Sequence, residues 1–379
     1  MPVVGVIGGG QLARMMQPAA IALGIELRVF AEAEGSSAHL SATKIGNYNN
    51  LEEISDFCQG IDVLTFDHEH VPKEVLDQLV SSGVKVRPGP DALIHAQNKL
   101  TMRKRLSGLG LPMPIWRSVT SSPELAGFIS EFGPEVVVKT PIGGYDGKGV
   151  KVVSDPSQVD AWFSAIESFG GELLAEQKVA FSGECAQLIA RSPKGEIKLW
   201  PLVKTTQVAG VCSEVIAPFG TKAQAEAAAE IAIKVAQGLE VTGVMAVELF
   251  ETSSGELLVN ELALRPHNSG HFTIDGSLTS QFEQHLRAVL DLPLGSTELK
   301  GSASVMINLL GVDDQNTFIE HYEIAMKAFP EAKFHLYEKS ARAGRKMGHI
   351  NLVGSDAQQL LDSGRKAREV LYRGTKEAQ

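Results

Sequence analysis

The chain has 379 residues, of which 44% are hydrophobic and 21% charged, and its formal net charge is −10. This balance is typical of a soluble globular protein of two or three domains, and it argues against a general nucleic-acid binder, which would present a basic face. No apolar run approaches the roughly 18 residues of a membrane span and the N-terminus lacks a secretion signal, so we expect a cytoplasmic protein that binds no membrane.

The first elements predict an open parallel sheet with helices between its strands. Apolar strands are expected at residues 3–7, 25–30, 61–66 and 84–86, and helices at residues 12–23 and 71–82. A glycine turn from Gly8 to Gly10 joins the first strand to the first helix, as in βαβ units. We therefore expect residues 1–97 to form an N-terminal domain of this kind.

The glycine turn leaves two interpretations open. It fits a dinucleotide fingerprint weakly, because Ala13 stands where the third glycine is expected, although Glu32 or Glu34 could supply the acidic residue. A nicotinamide-dependent oxidoreductase is therefore one alternative. We favour instead the phosphate of a mononucleotide-like substrate, bound at the helix N-terminus with Gln11 close to it.

The middle of the chain carries lysines and a glycine-rich loop suited to phosphate. A basic helix at residues 98–109 contains Lys99, and a strand at residues 136–139 ends in Lys139, whose counter-charge would be a phosphate or a buried carboxylate. The loop from Gly143 to Gly149 has four glycines and Lys148, so its N–H groups can approach phosphates closely. It lacks the ending and the following helix of a Walker loop, and we expect a flexible lid between two strands.

Two carboxylates on a predicted hairpin are the strongest functional signal. Strands are expected at residues 243–250 and 257–261, and a turn symmetric about Ser254 and Gly255 places Glu248 opposite Glu261. Like charges about 5 Å apart destabilise a sheet. Mg²⁺ would compensate them, since it takes one or two protein carboxylates and fills its other positions with water and phosphate oxygens. The alternative is a slipped register that leaves both glutamates exposed on an edge.

Two polar loops follow the hairpin. The first combines cationic, amide and hydroxyl side chains, namely Arg265, His267, Asn268, Ser269 and His271. Directly after a carboxylate-bearing strand, this loop is well placed to grip an anionic substrate beside the metal. The second loop contains Arg345 and Lys346 and is either a second anion clamp or solvated surface.

The order of a lysine on a strand, a glycine-rich lid and two carboxylates on a hairpin resembles the ATP-grasp superfamily. The motifs are similar to those of the N5-carboxyaminoimidazole ribonucleotide synthetases, the ATPase subunits of bacterial phosphoribosylaminoimidazole carboxylase. The resemblance spans residues 1 to about 353 and is carried by residues 8–12, 143–149, 176–184, 260–271, 280–287 and 344–349. It implies an α/β ATP-grasp fold with three domains: the N-terminal open parallel sheet at 1–97, an ATP-grasp domain with its lid at 98–295, and a small mixed C-terminal domain at 296–379.

The resemblance also implies roles for the matching residues. ATP would be bound by Lys99, Lys139, Gly144, Gly147, Glu176, Gln177, Val179, Glu184, Asn260 and Glu261, with Glu176 and the residues after it receiving adenine and Glu184 on the ribose. Glu248 and Glu261 would ligate Mg²⁺. Bicarbonate and the aminoimidazole would meet at Tyr145, Asp146, Lys148, Arg265 and His267. The substrate would further contact Gln11, Asn268, Ser269, Arg345 and Lys346.

The implied reaction joins aminoimidazole ribonucleotide to bicarbonate at the expense of ATP, through carboxyphosphate, in purine biosynthesis. Asp146 or His267 would take the amine proton, and the resemblance does not choose between them. It also implies a homodimer and a functional link to a mutase acting on the product. Residues 67–70 depart from the family pattern, so we assign no role to His68 or His70. Other open alternatives are a formate-dependent glycinamide ribonucleotide transformylase and a non-catalytic nucleotide sensor.

Overall fold

The structure, a computed structural model, describes residues 1–144, 149–312 and 317–374. The N-terminal strands are β1 (Val3–Ile7), β2 (Glu26–Ala31), β3 (Ala42–Ile45) and β4 (Val63–Phe66), and the helices are α1 (Gln11–Leu23), α2 (Leu51–Phe57), α3 (Lys73–Ser81) and α4 (Pro90–Gln97). The strands form one parallel sheet in the order β3-β2-β1-β4. The predicted open parallel sheet is thus confirmed.

One predicted strand of this region is wrong. Residues 84–86 make only an isolated parallel bridge, between Val86 and Leu64. The run is three residues long and lies between Gly83 and Pro88, and its contact with β4 is limited to hydrogen bonds on the two sides of Leu64. It is too short to continue the ladder beyond that residue.

The next segment forms a second sheet that carries the lysine and lid elements. Its elements are α5 (Lys99–Gly108), β5 (Trp116–Val119), α6 (Ser122–Phe132), β6 (Val136–Lys139), β7 (Val150–Val153), α7 (Asp160–Ser164) and β8 (Leu173–Gln177). The four strands are antiparallel in the order β5-β8-β6-β7. Lys139 pairs with Val150 on either side of the glycine-rich loop, so the two predicted flanking strands are paired. The side chain of Asn98 caps α5 by accepting the N–H of Thr101, which puts Lys99 at the first turn of the helix.

The rest of the chain builds one nine-stranded sheet. Its strands are β9 (Phe181–Arg191), β10 (Ile197–Leu199), β11 (Val203–Val208), β12 (Val211–Ala217), β13 (Gly243–Thr252), β14 (Leu257–Ala263), β15 (Ala303–Leu310), β16 (Lys333–Leu336) and β17 (Lys346–Gly354). The helices are α8 (Lys222–Gly238), α9 (Thr273–Gly276), α10 (Gln281–Val289), α11 (Tyr322–Ala328) and α12 (Ala357–Arg373). The strand order is β14-β13-β9-β11-β12-β15-β17-β16, with β10 paired to β9. The strands after residue 296 therefore extend the sheet of the preceding segment.

Helix α10 connects the N-terminal sheet to this large sheet. Phe282 and Leu286 pack in the same apolar cluster as residues of β1 and α1. On the same helix, the buried ring of His285 accepts the backbone N–H of Val244 at Nδ1 and lies 2.7 Å from the Thr65 hydroxyl at Nε2. Burial lowers the pKa of His285 to about 3, so the ring is neutral. Through these two contacts it links β13 to β4.

Within the three described ranges, no helix is both long enough and apolar enough to cross a bilayer.

Candidate active site

The hairpin of β13 and β14 brings the two predicted carboxylates together. Glu248 is the direct antiparallel partner of Glu261, as predicted. The pairs nearer the turn are one residue out of the register expected from a turn symmetric about Ser254 and Gly255. One step further, Leu249 pairs with Val259, so Asn260 is an extra residue on β14 and forms a β-bulge. The bulge turns Asn260 toward Lys139, whose Nζ lies 3.2 Å from the Asn260 side-chain oxygen.

The charges around this pair favour a bound cation. Burial, and then the neighbouring carboxylate of Glu261, raise the pKa of Glu248 to about 7. Lys99 Nζ lies 3.5 Å from Glu261, whereas the partner of Glu248 is the ring of His267 at 3.4 Å. Burial and the nearby charges of Arg265 and Lys346 lower the pKa of His267 well below its usual value, so this ring is neutral.

Two carboxylates that remain partly exposed fit a hard divalent cation. The side chains of Glu248 and Glu261 are 30% and 38% exposed, so a cation and its remaining water or phosphate ligands can reach them. Among the described residues, no group of three His, Cys, Asp or Glu side chains is arranged to hold a metal. Two carboxylates with room for water or phosphate oxygens beside them are a donor set that suits Mg²⁺, which uses few protein ligands.

Lys139 is held by a buried ion-pair network. Its Nζ lies 2.8 Å from one oxygen of Glu176, and Arg103 Nε lies 2.6 Å from the other. Arg103 also donates to the carbonyls of Val259 and Asn260 on β14. Burial alone would raise the pKa of Glu176, but the charges of Arg103 and Lys139 bring it down to about 2. The Glu176 side chain is thus turned inward, and the counter-charge of Lys139 is this carboxylate.

The glycine turn after β1 does not offer the predicted phosphate site. The N–H of Gly9 donates to Glu32, and the N–H of Ala13 donates to Asp67 at 2.8 Å. A Cβ at Gly10 would lie 2.0 Å from Asp67, so glycine is needed for this carboxylate to approach. The carboxylates of Glu32 and Asp67 already lie at the turn and make it unsuited to a phosphate or a pyrophosphate. The prediction of a bound substrate phosphate at this turn is therefore wrong. Gln11 nevertheless lies beside a large cavity and hydrogen-bonds to Lys339.

Glu69 fixes the start of the polar loop after β14. One of its oxygens lies 2.7 Å from Arg265 Nε, and the other accepts the N–H of Leu264. In the same loop, the Nδ1 of His267 lies 2.9 Å from the hydroxyl of Ser269, which is buried behind the ring. The loop that follows β4 therefore orients, through Glu69, the cationic side chain of Arg265.

A cavity of about 1050 Å³ collects most of these groups. The predicted site residues on its wall are Gln11, Lys99, Gly144, Glu248, Glu261, Arg265, His267, Asn268, Arg345 and Lys346. The wall also contains Glu69 and Lys339, to which the sequence analysis gave no role, and Arg342, which precedes Arg345 in the basic loop. The pair of Glu248 and Glu261 and the C-terminal basic loop thus line the same cavity.

Other predicted residues lie away from that wall. Lys139, Glu176, Asn260 and Ser269 stand behind it, in the contacts described above, and Gln177 and Val179 follow at and just beyond the end of β8. Glu184 lies on β9 opposite Phe250, on the same sheet face as Glu248, and burial raises its pKa. The predicted residues Tyr145, Asp146, Gly147 and Lys148 lie outside the described residues.

Glu69 and Arg103 are the main supporting residues that sequence reasoning missed. Arg103 is 0% exposed in a helix predicted to be basic and solvated on one face. Glu69 stands three residues after a predicted strand, in the segment 67–70 that departs from the family pattern. For each residue the sequence shows only a charged side chain within or near an apolar element. It does not show the distant partner, which is Glu176 for Arg103 and Arg265 for Glu69.

Comparisons with known proteins agree with this arrangement. Three family models match the chain: the ribonucleotide synthetase preATP-grasp domain at residues 1–97, the ATP-grasp domain at 104–282, and the phosphoribosylaminoimidazole carboxylase C-terminal domain at 304–363. The N5-carboxyaminoimidazole ribonucleotide synthase of Mycobacterium leprae is 47% identical over 372 residues, which cover 94% of this chain and 84% of the relative.

Solved structures extend the likeness to the whole fold. An ADP complex of N5-carboxyaminoimidazole ribonucleotide synthetase has a TM-score of 0.88 at 33% identity and covers 99% of this chain and 98% of its own. The Aspergillus clavatus N5-carboxyaminoimidazole synthase in complex with ADP and 5-aminoimidazole ribonucleotide has a TM-score of 0.88 at 31% identity, covering 98% and 99%. The chain therefore has the ATP-grasp fold and belongs to the N5-carboxyaminoimidazole ribonucleotide synthase family.

Proposed function

We propose that this chain is an ATP-dependent carbon–nitrogen ligase that carboxylates 5-aminoimidazole ribonucleotide with bicarbonate. The products are N5-carboxyaminoimidazole ribonucleotide, ADP and phosphate, formed in purine biosynthesis. The observation that carries the proposal is the opposed pair of Glu248 and Glu261, with Lys99 beside it, in a cavity that also contains the basic loop of Arg345 and Lys346. One end suits a metal–triphosphate, and the other suits a second phosphate.

ATP would occupy the end of the cavity between the four-stranded sheet that carries Lys139 and the hairpin of β13 and β14. Glu248 and Glu261 would hold Mg²⁺, which neutralises phosphate charge when bound. Lys99 and Lys139 would contact phosphate oxygens, and Glu176 orients Lys139 through the ion pair at 2.8 Å. Adenine would lie against the backbone around Gln177 and Val179, and the ribose would contact Glu184. The bulged Asn260 would lie near the phosphates. Gly144 and Gly147 of the glycine-rich loop would also contact ATP.

The aminoimidazole ribonucleotide would occupy the other end. Its phosphate would be bound by Arg345 and Lys346, with Gln11 and Asn268 on the same cavity wall. Ser269 would act through its contact with the His267 ring. Arg265, which Glu69 orients, would bind bicarbonate, because a guanidinium matches a planar oxyanion with two parallel donors.

The chemistry follows from these positions. A bicarbonate oxygen attacks the γ-phosphorus and ADP leaves, which gives carboxyphosphate. The exocyclic amine then attacks the carboxyl carbon, phosphate leaves, and the amine proton passes to a base. The neutral ring of His267 can accept a proton, and Asp146 is the other candidate. Positioning and charge neutralisation supply most of the catalysis of phosphoryl transfer, and carboxyphosphate must be kept from water until the amine attacks.

An omission assay tests the proposal. ADP release should need ATP, bicarbonate and aminoimidazole ribonucleotide together, and turnover indifferent to the aminoimidazole would refute the assignment. Formate with glycinamide ribonucleotide tests the nearest alternative ligase. Glu261→Gln separates an enzyme, in which turnover is lost, from a nucleotide sensor, in which only binding changes.

Three further proposals rest on family membership. The chain would act as a homodimer in the cytoplasm, and its product would pass to a mutase. Light scattering coupled to size-exclusion chromatography measures the oligomer directly, and a monomer at micromolar concentration would refute the first of these proposals.

A further inference from the structure

Helix α10 carries two buried glutamines that make the same unusual contact with different partners. Gln281 and Gln284 are both 0% exposed. The side-chain oxygen of Gln281 accepts the N–H of His267 at 2.9 Å, and its nitrogen donates to the carbonyl of His267 at 2.8 Å. Gln284 accepts the N–H of Gly295 at 2.7 Å and donates to the carbonyl of Gly295 at 2.8 Å. Each amide thus closes a ring of two hydrogen bonds with a single residue.

The partner of Gln281 is a residue of the candidate site. Because both backbone groups of His267 are held, its Cα–Cβ direction is fixed, and the ring then needs little further restraint. The hydroxyl of Ser269 supplies that restraint at Nδ1, and Nε2 faces Glu248 at 3.4 Å. The partner of Gln284, by contrast, belongs to the connection between α10 and β15 and does not line the cavity.

The neighbouring residues fix the orientation of the Gln281 side-chain amide. Its second N–H points to Nδ1 of the buried His271 at 2.9 Å, and its backbone N–H donates to the Thr273 hydroxyl, which in turn donates to the carbonyl of Gly270. A Cβ on Gly270 would lie 2.3 Å from the Gln281 side-chain oxygen. The polar groups of the amide are all used, and the loop backbone packs directly against it.

We propose that Gln281 is a positioning residue of this site: by clamping the backbone of His267, it holds the imidazole in the direction that the carboxyl transfer requires. Gln284 makes the equivalent clamp on Gly295 and only stabilises the fold. Neither glutamine touches the cavity, so the role of Gln281 is exerted through His267. The kinetic part of this proposal rests on the proposed function, whereas the clamp itself does not.

The two glutamines give a matched pair of variants, Gln281→Met and Gln284→Met. Each replaces an amide by an apolar chain of similar length. Gln284→Met removes the partners of both the N–H and the C=O of Gly295. Gln281→Met removes the partner of the His267 N–H, whereas the His267 carbonyl keeps the N–H of Gly270 at 2.9 Å. We expect similar decreases in thermal midpoint. Per folded enzyme, Gln281→Met should lower kcat by about tenfold to a hundredfold with KM for ATP changed by less than roughly twofold, while Gln284→Met keeps the kcat of the parent.

Hydrogen–deuterium exchange read by mass spectrometry tests the clamp without turnover. Exchange of the segment 265–271 should rise in Gln281→Met and not in Gln284→Met, which should instead raise exchange around residue 295. If the wild type shows no aminoimidazole-dependent turnover, the proposed function fails, and exchange still decides the clamp. If Gln281→Met does not fold, Gln281→Glu keeps the side-chain shape and the acceptor but removes both donors, and the same two readouts are expected to change.

The proposal is overturned by any of three results. The first is unchanged exchange at 265–271 in the folded Gln281 variant. The second is a kcat per folded enzyme equal to that of the wild type. The third is an equal loss of kcat in Gln284→Met, which would show that any lost clamp on α10 disturbs the enzyme through stability alone.

Discussion

Replacing Glu176 by glutamine removes the charge at the centre of the buried network that holds Lys139. Both positive partners, Lys139 and Arg103, then remain in a dry environment, since the Glu176 and Arg103 side chains are 3% and 0% exposed. The substitution keeps the shape of the side chain, so packing changes little. We expect the main effect to be electrostatic and to appear both in stability and in the binding of ATP.

The magnitude follows from the pKa of the carboxyl group. It falls from 4.5 to about 2 in the folded protein, and one unit of difference corresponds to about 1.4 kcal/mol, so charging Glu176 stabilises the fold by about 3 kcal/mol. This agrees with the range of about 3–5 kcal/mol for breaking a buried ion pair by removing one partner. In turnover, KM for ATP should rise because Lys139 is no longer fixed.

The sign of the pH dependence is determined by the lowered pKa. The contribution of Glu176 is fully present above about pH 4.5, the value in the unfolded chain, and is lost as pH falls from 4.5 toward 2. Urea unfolding of wild type and Glu176→Gln should therefore differ by about 3 kcal/mol at pH 7, and the difference should shrink at pH 4 and below.

Glu172→Gln, at the residue immediately before β8, is the control for an exposed ion pair. Glu172 pairs with Lys104, also on α5, but the two side chains are 37% and 57% exposed. An exposed pair contributes at most about 1 kcal/mol. A loss in Glu176→Gln no larger than in Glu172→Gln, or a difference that does not depend on pH, would refute the reasoning about the buried network.

Three other substitutions test the remaining parts of the site. Glu261→Gln should reduce turnover by about a hundredfold to a thousandfold, because it removes half of the cation-binding pair, and isothermal titration should show weaker Mg²⁺ binding; unchanged Mg²⁺ affinity would exclude it as a ligand. Glu69→Gln weakens the hold on Arg265, so kcat should fall by about tenfold with KM for ATP unchanged, and a rise in that KM would place Arg265 at the nucleotide instead. Arg345→Gln should raise KM for the aminoimidazole ribonucleotide by about tenfold and leave ATP binding alone, and an effect confined to ATP would reverse the assignment of the two ends of the cavity.

Local patterns in the sequence predicted the hairpin and its two carboxylates, but not the register next to the turn. There Leu249 pairs with Val259, one residue out of the predicted register, and Glu261 faces Glu248 only because Asn260 bulges. The two paired strands that flank the glycine-rich loop, β6 and β7, were predictable from their apolar pattern. The bulge at Asn260 carried no sequence signal, although it directs that side chain toward Lys139.

Contacts between distant residues could not be predicted in this way. The glycine turn had the composition of an anion site, but the carboxylate of Asp67, 54 residues after Ala13, lies against it. The carboxylate that pairs with Arg103 lies 73 residues away. Strand β12 was missed because Glu214 interrupts its apolar pattern. The buried carboxylate of Glu214 is paired with Arg365 of α12, 151 residues later. Tertiary partners, rather than local propensity, determined each of these outcomes.

Oxygen transfer from labelled bicarbonate tests the central claim most directly. With ¹⁸O-bicarbonate, ATP and aminoimidazole ribonucleotide, the account predicts that each phosphate released carries one labelled oxygen, because a bicarbonate oxygen attacks the γ-phosphorus. Phosphate that takes its new oxygen from water, or label transfer to phosphate without formation of the carboxylated nucleotide, would contradict it.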